Sequence, residues 1–262
     1  MGDVLLETGL MHYEAVGRGK PLLFLHDWVG SSRYWIPIMM DIASAYRGYA
    51  LDFWGFGASD KISTSYTIDG YLDQAVTFIT QMGIEHVPVV GHGLGGIVGV
   101  TLAAEYPGQV SQVLAISMPL TEACVSRALS SFHGSDNTAK SILGRRLKAY
   151  EEVAMEAAKI DSQAVIQSLN STMAVDLIET LEDVAMPVLL IYGKHDPLVD
   201  PPDDEIVKNL EDNVRTLVLK SAQHYPMLED ATIFKRFLLR FLMHQDNWEA
   251  VLKKQERWIW GA

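Results

Sequence analysis

The sequence contains a single cysteine, Cys124, among its 262 residues. One cysteine cannot form an internal disulfide, so nothing in the chain requires an oxidising compartment. Apolar runs are short, and none approaches the roughly 18 uninterrupted apolar residues of a membrane span. The first residues show no signal peptide, and Leu6 stands where a myristoylation pattern has serine or threonine. We therefore expect a cytoplasmic protein that does not enter membranes.

Basic residues are also scarce. The chain has 21 Lys and Arg against 33 Asp and Glu, which gives a formal net charge of −12 at pH 7. Such a surface repels phosphate backbones, so nucleic acid is not expected as a partner. With 48% hydrophobic and 21% charged residues, the composition is that of an ordinary soluble enzyme and excludes a disordered chain. The length fits one sheet-based fold with a large core.

Short apolar or β-branched runs recur between longer helix-like stretches. The pattern at 67–83 predicts a helix that begins after Thr67 as N-cap and stops at Gly83. Alternation of this kind predicts a mostly parallel α/β sheet with helices on both faces. The runs read as strands are LMHYEAV (10–16), PLLFLH (21–26), RGYALD (47–52), HVPVVG (86–91), VSQVLAIS (110–117), PVLLIYG (187–193) and VRTLVLK (214–220).

The alternation stops between about Pro119 and Met186, where the sequence has many helix formers and no convincing strand. We expect an α/β core from residues 1–119 and 186–262, and a helical cap from residues 120–185. The cap begins and ends at strand edges, which places it over the carboxyl ends of the strands, where open α/β sheets bind ligands. The final segment, 246–262, holds three of the six tryptophans and is expected to dock on the body as a helix.

The strongest local motif is VPVVGHGLGGIVGV at 87–100, a strand that leads through a glycine-rich turn into a helix. It resembles the nucleophile elbow G-x-S-x-G of the α/β-hydrolase family. In that motif, small residues are needed two positions before and after the nucleophile because neighbouring backbones come very close. Gly91 and Gly95 meet this need. The nucleophile position itself is occupied by Gly93, which has no side chain.

Four further segments resemble the same family in the same chain order, so the resemblance covers nearly the whole sequence. They are LHDWVGSS (25–32, the oxyanion loop), LDFWGFGASD (51–60, the D-x-x-G-x-G-x-S-D turn), GKHDPLVD (193–200, the acid loop) and SAQHYPMLED (221–230, the histidine loop). The resemblance implies an α/β-hydrolase fold with a mostly parallel eight-stranded sheet and a helical cap. It also implies Asp196 as the triad acid and His224 as the triad base. The backbone amides of Trp28 and Leu94 correspond to the oxyanion-hole donors.

The sequence departs from the family pattern at two positions. Asp27 stands where the oxyanion loop usually has glycine, and a carboxylate that points into the site opposes a developing oxyanion. The sequence leaves open whether Asp27 faces the site or points outward. Gly93 has no hydroxyl, so no acyl-enzyme can form there and ordinary serine-hydrolase activity is not expected.

Three functions from different classes remain open. The first is a serine hydrolase of the esterase, lactonase or carbon–carbon hydrolase kind whose nucleophilic serine has been replaced by Gly93. The second is a natural enzyme that uses His224 and Asp196 for acid–base chemistry without a covalent step. The third is a binding protein that retains the pocket and has lost the chemistry. In the first case, Gly93→Ser is predicted to restore ester hydrolysis.

The expected ligand is a small molecule, namely a partly apolar, uncharged ester or related acyl compound. The candidates for contact with it are Asp27, Trp54, Met118 and Met227. An ordered water or ligand oxygen is expected to bind the Trp28 and Leu94 amides in an open site. We expect a monomer or homodimer.

No cofactor and no metal are predicted. The histidines without metal-ligand spacing are His12, His86, His133, His195 and His244. His26 and His92 are interpreted as packing and hydrogen-bonding residues at strand ends.

Overall fold

A single β-sheet forms the centre of the molecule. The computed structural model describes residues 1–244 and 247–252, together with the backbone of Ile259–Trp260. The strands are β1 (Gly2–Leu5), β2 (Leu10–Gly17), β3 (Lys20–Leu25), β4 (Tyr46–Leu51), β5 (Val87–His92), β6 (Val110–Ile116), β7 (Val188–Gly193), β8 (Val214–Leu219) and β9 (Ile259–Trp260). In this part of the chain, the strand order is β1-β2-β4-β3-β5-β6-β7-β8-β9.

The sheet is mostly parallel, as the sequence predicts. Strands β3 to β8 pair in parallel, whereas β1, β2 and β9 pair antiparallel at the two edges. All seven predicted runs form strands, β2 to β8. The central strands are mostly buried, and β7 is buried along its whole length, because helices cover both faces of the sheet. Together with β1 they make the eight strands that the family resemblance implies, and the two-residue β9 extends the sheet beyond them.

Helices connect the strands and also fill the range 120–185. The α-helices are α1 (Ile36–Ile42), α2 (Ile68–Gln81), α3 (Leu94–Glu105), α4 (Arg127–Ser130), α5 (Thr138–Leu143), α6 (Glu151–Glu156), α7 (Ser162–Thr172), α8 (Leu177–Glu182), α9 (Asp204–Asn209), α10 (Pro226–Glu229), α11 (Ala231–His244) and α12 (Trp248–Val251). Short 3₁₀ helices lie at Ser32–Trp35, Ser63–Ser65, Glu122–Cys124, Gly144–Ala149 and Ala157–Lys159. The helix predicted at 67–83 is confirmed: the Thr67 side chain caps α2 by accepting from the Gly70 amide, and Gly83 follows it with φ of +60°.

The strand order determines where a ligand site can form. Strand β3 lies between β4 and β5, so the connections leaving β3 and β4 run in opposite directions along the sheet. In an open α/β sheet, the crevice at such a reversal lies at the carboxyl ends of the strands. Asp27 follows the end of β3, and Gly93 follows the end of β5. The topology therefore brings the two departures from the family pattern to one place.

The range 120–185 is helical, and α7 lies against the core at three points. Trp28 Nε1 donates to Ser168 Oγ at 3.1 Å, the Tyr66 hydroxyl donates to an Asp161 carboxylate oxygen at 2.9 Å, and the Ile68 amide donates to Ser171 Oγ at 3.0 Å. These contacts hold α7 above the carboxyl ends of the strands. The division of the chain into a core and a cap unit stays a prediction.

The C-terminal segment is described only in part. Trp248 begins the four-residue helix α12 and stacks on Phe241 of α11, with ring centroids 6.0 Å apart. Trp258 and the side chain of Trp260 lie outside the described residues, so docking of the whole segment as one helix stays a prediction. Within the described residues, every helix is too short or too polar to cross a membrane.

Candidate active site

The turn between β5 and α3 has the backbone of a nucleophile elbow. Gly93 has φ of +47° and ψ of −109°, a conformation that L side chains rarely adopt. A β-carbon at Gly91 would meet the Gly95 carbonyl oxygen, and one at Gly95 would meet the Leu25 carbonyl oxygen. The flanking glycines are therefore required by the closeness of neighbouring backbones, as the motif predicts.

The carboxylate of Asp27 occupies the place where a side chain on residue 93 would lie. It is fully buried and points into the site. One oxygen, Oδ1, accepts from the Leu94 amide at 3.2 Å, and a β-carbon added at Gly93 would overlap with this oxygen. The other oxygen, Oδ2, accepts from the Val29 amide at 3.3 Å. The Asp27 carboxylate thus occupies the position of a serine side chain. It also accepts a hydrogen bond from the Leu94 amide, one of the two predicted oxyanion donors.

This arrangement corrects one prediction and answers one question that the sequence left open. The site was expected to be open, with a water or ligand oxygen on the Trp28 and Leu94 amides, but Asp27 already accepts from the Leu94 amide. Asp27 does not point outward, because main-chain donors and His224 together satisfy its carboxylate in the interior. The role of Trp28 as a donor stays a prediction.

Asp196 and His224 lie together as the family resemblance implies. His224 Nδ1 is 3.0 and 2.9 Å from the two Asp196 carboxylate oxygens. The amides of Leu198 and Val199 donate to Asp196 Oδ1 at 2.8 and 3.1 Å, and the Ser117 hydroxyl donates to Oδ2 at 2.7 Å. Asp196 therefore has a fixed orientation and holds the imidazole ring.

Ser117 is a site residue that motif reading does not find. It follows the end of β6 and has a positive φ of 46°, which is unusual for a residue other than glycine. Strand β6 lies between β5 and β7, whose ends lead to Gly93 and Asp196. Strand order, rather than a local motif, is the signal that points to Ser117.

The second ring nitrogen of His224 meets Asp27. The distance from His224 Nε2 to Asp27 Oδ2 is 3.1 Å, although the two residues are 197 positions apart in the chain. Asp27 and Asp196 therefore flank the same imidazole ring, one at each nitrogen. A serine triad has only one carboxylate on its histidine.

The two carboxylates stabilise the charged form of His224. Burial disfavours that form, but the charges and hydrogen bonds of Asp196 and Asp27 outweigh burial and raise the pKa of His224 to about 10. Burial would raise the pKa of Asp27, but the hydrogen bond and charge of His224 lower it to about 2. The same balance lowers the pKa of Asp196. At neutral pH the site is an imidazolium between two carboxylates.

The two histidines at the strand ends have different environments. His26 is confirmed as a packing and hydrogen-bonding residue: its Nδ1 contacts the Asp27 carbonyl oxygen at 2.8 Å, and its Nε2 accepts from the Phe53 amide at 2.9 Å. His92 contacts the Tyr34 hydroxyl through Nδ1 at 3.0 Å, but its Nε2 is buried without a hydrogen-bond partner among the described residues. Burial, reinforced by the positive charge of His224, lowers the pKa of His92 to about 3.

Three of these side chains also form a group that could hold a metal ion. One ligand atom each from Asp27, His92 and His224 lies within 4.8 Å of the others, and all three residues are buried. The sequence pointed to no metal site, because the ligands come from three segments without a shared spacing. Only tertiary structure brings them together.

The remaining substrate-contact candidates are buried near the strand ends. Trp54, Met118 and Met227 are each at most 1% exposed. Their contact with a substrate stays a prediction. A small cavity of about 60 Å³ lies between the segment after β6 and the helical range, where Leu120 and Thr172 are among its lining residues.

Comparisons with known proteins show the family of this chain. A family model described as alpha/beta hydrolase fold matches residues 20–154. The chain is 27% identical over 230 residues to the 2-(acetamidomethylene)succinate hydrolase of Mesorhizobium japonicum, covering 80% of this chain and 83% of that protein. It is 24% identical over 262 residues to the pimeloyl-(acyl-carrier protein) methyl ester esterase of Aliivibrio salmonicida, covering 92% of this chain and 98% of that protein.

Solved structures show the same fold. A serine-to-glycine mutant of the N-acyl homoserine lactonase AidH, complexed with N-hexanoyl homoserine lactone, matches with a TM-score of 0.78 at 22% sequence identity. The match covers 92% of this chain and 96% of that one.

Proposed function

Because the chain belongs to the α/β hydrolase fold family, we propose that it hydrolyses a small, partly apolar ester or related acyl compound without a serine nucleophile. The observation that carries this proposal is the Asp27 carboxylate, 3.1 Å from His224 Nε2 and in the place of a serine side chain. Asp27, His224 and Asp196 form the acid–base centre.

The pairing supplies both a base and an acid at neutral pH. Asp27 is a carboxylate and takes a proton from water, whose oxygen attacks the acyl carbon. The His224 imidazolium hydrogen-bonds the developing oxyanion and gives its Nε2 proton to the leaving oxygen. The proton on Asp27 then crosses the short contact to His224, which restores the starting state. Asp196 holds the ring throughout.

The expected rate enhancement is modest. Positioned acid–base groups contribute on the order of 10²- to 10⁴-fold, and no acyl-enzyme divides the reaction into two easier steps. The substrate must also reach a closed site, since Asp27 and His224 are fully buried. We propose that opening separates α7 from Trp28, whose indole nitrogen donates to Ser168.

The position of Asp27 argues against the alternative that Gly93 replaces the serine of an otherwise ordinary hydrolase. A serine at residue 93 would overlap with Asp27, so replacement at this one position does not account for the site. The Asp27 carboxylate lies in the space that a side chain at Gly93 would need. This favours a chain whose oxyanion loop and elbow differ together from the serine pattern.

The burial of Asp27, His92 and His224 favours a second candidate function. A site closed to solvent is also what a ligand-binding protein without turnover would retain. The two functions differ in one observable: the enzyme releases product, whereas the binding protein only takes up ligand.

The test is an assay of the unmodified protein with p-nitrophenyl acetate, p-nitrophenyl butyrate, methyl butyrate and N-hexanoyl homoserine lactone. Turnover should fall to background in Asp27→Asn and in His224→Gln, and persist in the surface control Asp212→Asn. A fluorophosphonate, which labels activated serines, should not label the protein. Binding of these compounds without turnover would favour the binding protein. Turnover that persists in Asp27→Asn would overturn the acid–base assignment.

A further inference from the structure

The group formed by Asp27, His92 and His224 has features that the acid–base chemistry does not use. His92 Nε2 is a buried polar atom without a hydrogen-bond partner among the described residues, and the His92 and His224 rings are 4.6 Å apart. Buried polar atoms in folded proteins are nearly always paired, so an unpaired one needs an explanation such as an ion. Its ligand atom lies within 4.8 Å of those of the other two residues.

The surroundings of the two histidines are those of metal ligands. A metal-binding imidazole usually contacts a carboxylate or another hydrogen-bonding group through its second nitrogen, which fixes the ring. His224 contacts Asp196 through Nδ1 at 2.9 Å, which leaves Nε2 facing Asp27. His92 contacts the Tyr34 hydroxyl through Nδ1 at 3.0 Å, which leaves Nε2 without a partner. Both imidazoles are therefore oriented by their second nitrogen.

Charge also favours a cation at this point. Two fully buried side-chain carboxylates, Asp27 and Asp196, lie at the two ring nitrogens of His224, so two acidic side chains are close together in the interior. Buried charge is costly unless it is compensated. A divalent cation with both imidazoles neutral would balance the two carboxylates.

We propose that Asp27, His92 and His224 bind one divalent transition-metal ion. Two imidazole nitrogens and one carboxylate oxygen suit Zn²⁺, with a further position open to water. The 3.1 Å between His224 Nε2 and Asp27 Oδ2 fits two ligands of one ion, since bonds of about 2.0–2.1 Å would then meet at an angle of about 100°.

The metal site does not depend on the proposed hydrolysis. The ion takes the place of the proton between Asp27 and His224, so the metal-bound and proton-bound forms are alternative states of one site. Metal binding is measured without substrate. Its failure leaves the acid–base proposal intact, and the failure of hydrolysis leaves the metal site intact.

The test uses the whole protein, unfolded in denaturant with EDTA, dialysed, and refolded with either Zn²⁺ or Co²⁺. Metal content is then measured by mass spectrometry after gel filtration, and thermal unfolding is followed with and without Zn²⁺. The variant is His92→Gln, which removes one ligand. The matched control is His133→Gln, which removes an exposed histidine of the helical range.

We expect one Zn²⁺ per chain in the unmodified protein and in His133→Gln, with a Tm that rises on metal binding. His92→Gln should weaken metal binding by more than about tenfold, since even outer partners of metal ligands cost 10- to 100-fold. The Co²⁺ form of the unmodified protein should absorb visible light as a four- or five-coordinate ion. This readout stands even where His92→Gln does not fold.

Equal metal content in all three proteins would overturn the proposal, because the ion would then lie elsewhere. A Co²⁺ spectrum identical to that of the aqueous ion would also overturn it. So would a Zn²⁺ content of the unmodified protein no higher than that of His92→Gln.

Discussion

The fit between Asp27 and Gly93 predicts that a serine can be accommodated at residue 93 only when Asp27 is removed. In Gly93→Ser, the new β-carbon overlaps with Asp27 Oδ1 and the residue must adopt a φ near +47°. Strain of this kind costs about 1–3 kcal/mol, and overpacking a buried site costs a further 1–3 kcal/mol or so. The single variant should therefore be clearly destabilised and should gain little esterase activity. This corrects the expectation from the sequence that Gly93→Ser alone restores ester hydrolysis.

The double variant Asp27→Gly/Gly93→Ser should behave differently. Removal of the carboxylate relieves the overlap, frees the Leu94 amide and leaves the serine hydroxyl as the partner of His224 Nε2. Only the backbone strain remains, so the coupling free energy between the two substitutions should be about 1–3 kcal/mol in favour of the double variant. With one carboxylate on His224, the site becomes a serine triad. The gain in turnover is bounded by the roughly millionfold cost of removing a triad serine.

The assay is urea unfolding of the four proteins in the cycle, together with hydrolysis of p-nitrophenyl butyrate. The Asp27→Gly variant serves as the matched control without a nucleophile. The reasoning would be refuted by a Gly93→Ser variant that is as stable as the unmodified protein and as active as the double variant. That result would mean that Asp27 does not occupy the serine position.

Three further predictions follow from the same contacts. The free energy of unfolding should be greatest near pH 6.5. Because the pKa of His224 is raised to about 10 in the folded protein, its protonated form stabilises the fold fully below pH 6.5. This stabilisation is lost as pH rises towards 10, at up to about 1.4 kcal/mol per pH unit. The pKa of His92 is instead lowered, to about 3, so the free energy of unfolding also falls as pH drops from 6.5 towards 3. Urea unfolding across pH 4–9 measures both slopes. In His224→Gln, the fall of stability on the alkaline side should become smaller. Ser168→Ala leaves the Trp28 indole nitrogen unpaired and should cost about 1–3 kcal/mol by urea unfolding; an unchanged midpoint would show that this contact does not hold α7. Asp196→Asn should lower the pKa of His224 and reduce turnover, which a pH–rate profile measures, and an unchanged profile would contradict the role of Asp196.

Much of the fold follows from the sequence because its main signals are local. Buried parallel strands appear as short apolar runs. Helix α2 begins after a capping residue, Thr67, and is followed by a glycine with positive φ, Gly83, and both signals can be read from the sequence. Strand β1 was missed because it is a four-residue edge strand with only partly buried side chains. Asp196 and His224 follow from motifs that each occupy a single loop.

The direction of Asp27 could not be predicted because its partners are distant in the chain. Its carboxylate is held by the Leu94 amide from the start of α3 and by His224, which is 197 residues away. The role of His92 could not be predicted either, because its unpaired Nε2 lies near Asp27 and His224 only in the folded chain. A motif identifies which residue occupies a loop, whereas tertiary packing decides which way a short polar side chain turns.

The pairing of Asp27 with His224 is tested most directly by NMR of the histidine ring nitrogens in the metal-free, ¹⁵N-labelled protein, with His224 assigned by comparison with His224→Gln. At pH 8, both ring nitrogens of His224 should carry protons, since its pKa is raised to about 10 by Asp196 and Asp27. In Asp27→Asn, the Nε2 proton should be lost at a lower pH. A neutral His224 at pH 8 in the unmodified protein, with an unprotonated Nε2, would contradict an Asp27–His224 ion pair in the place of the serine nucleophile.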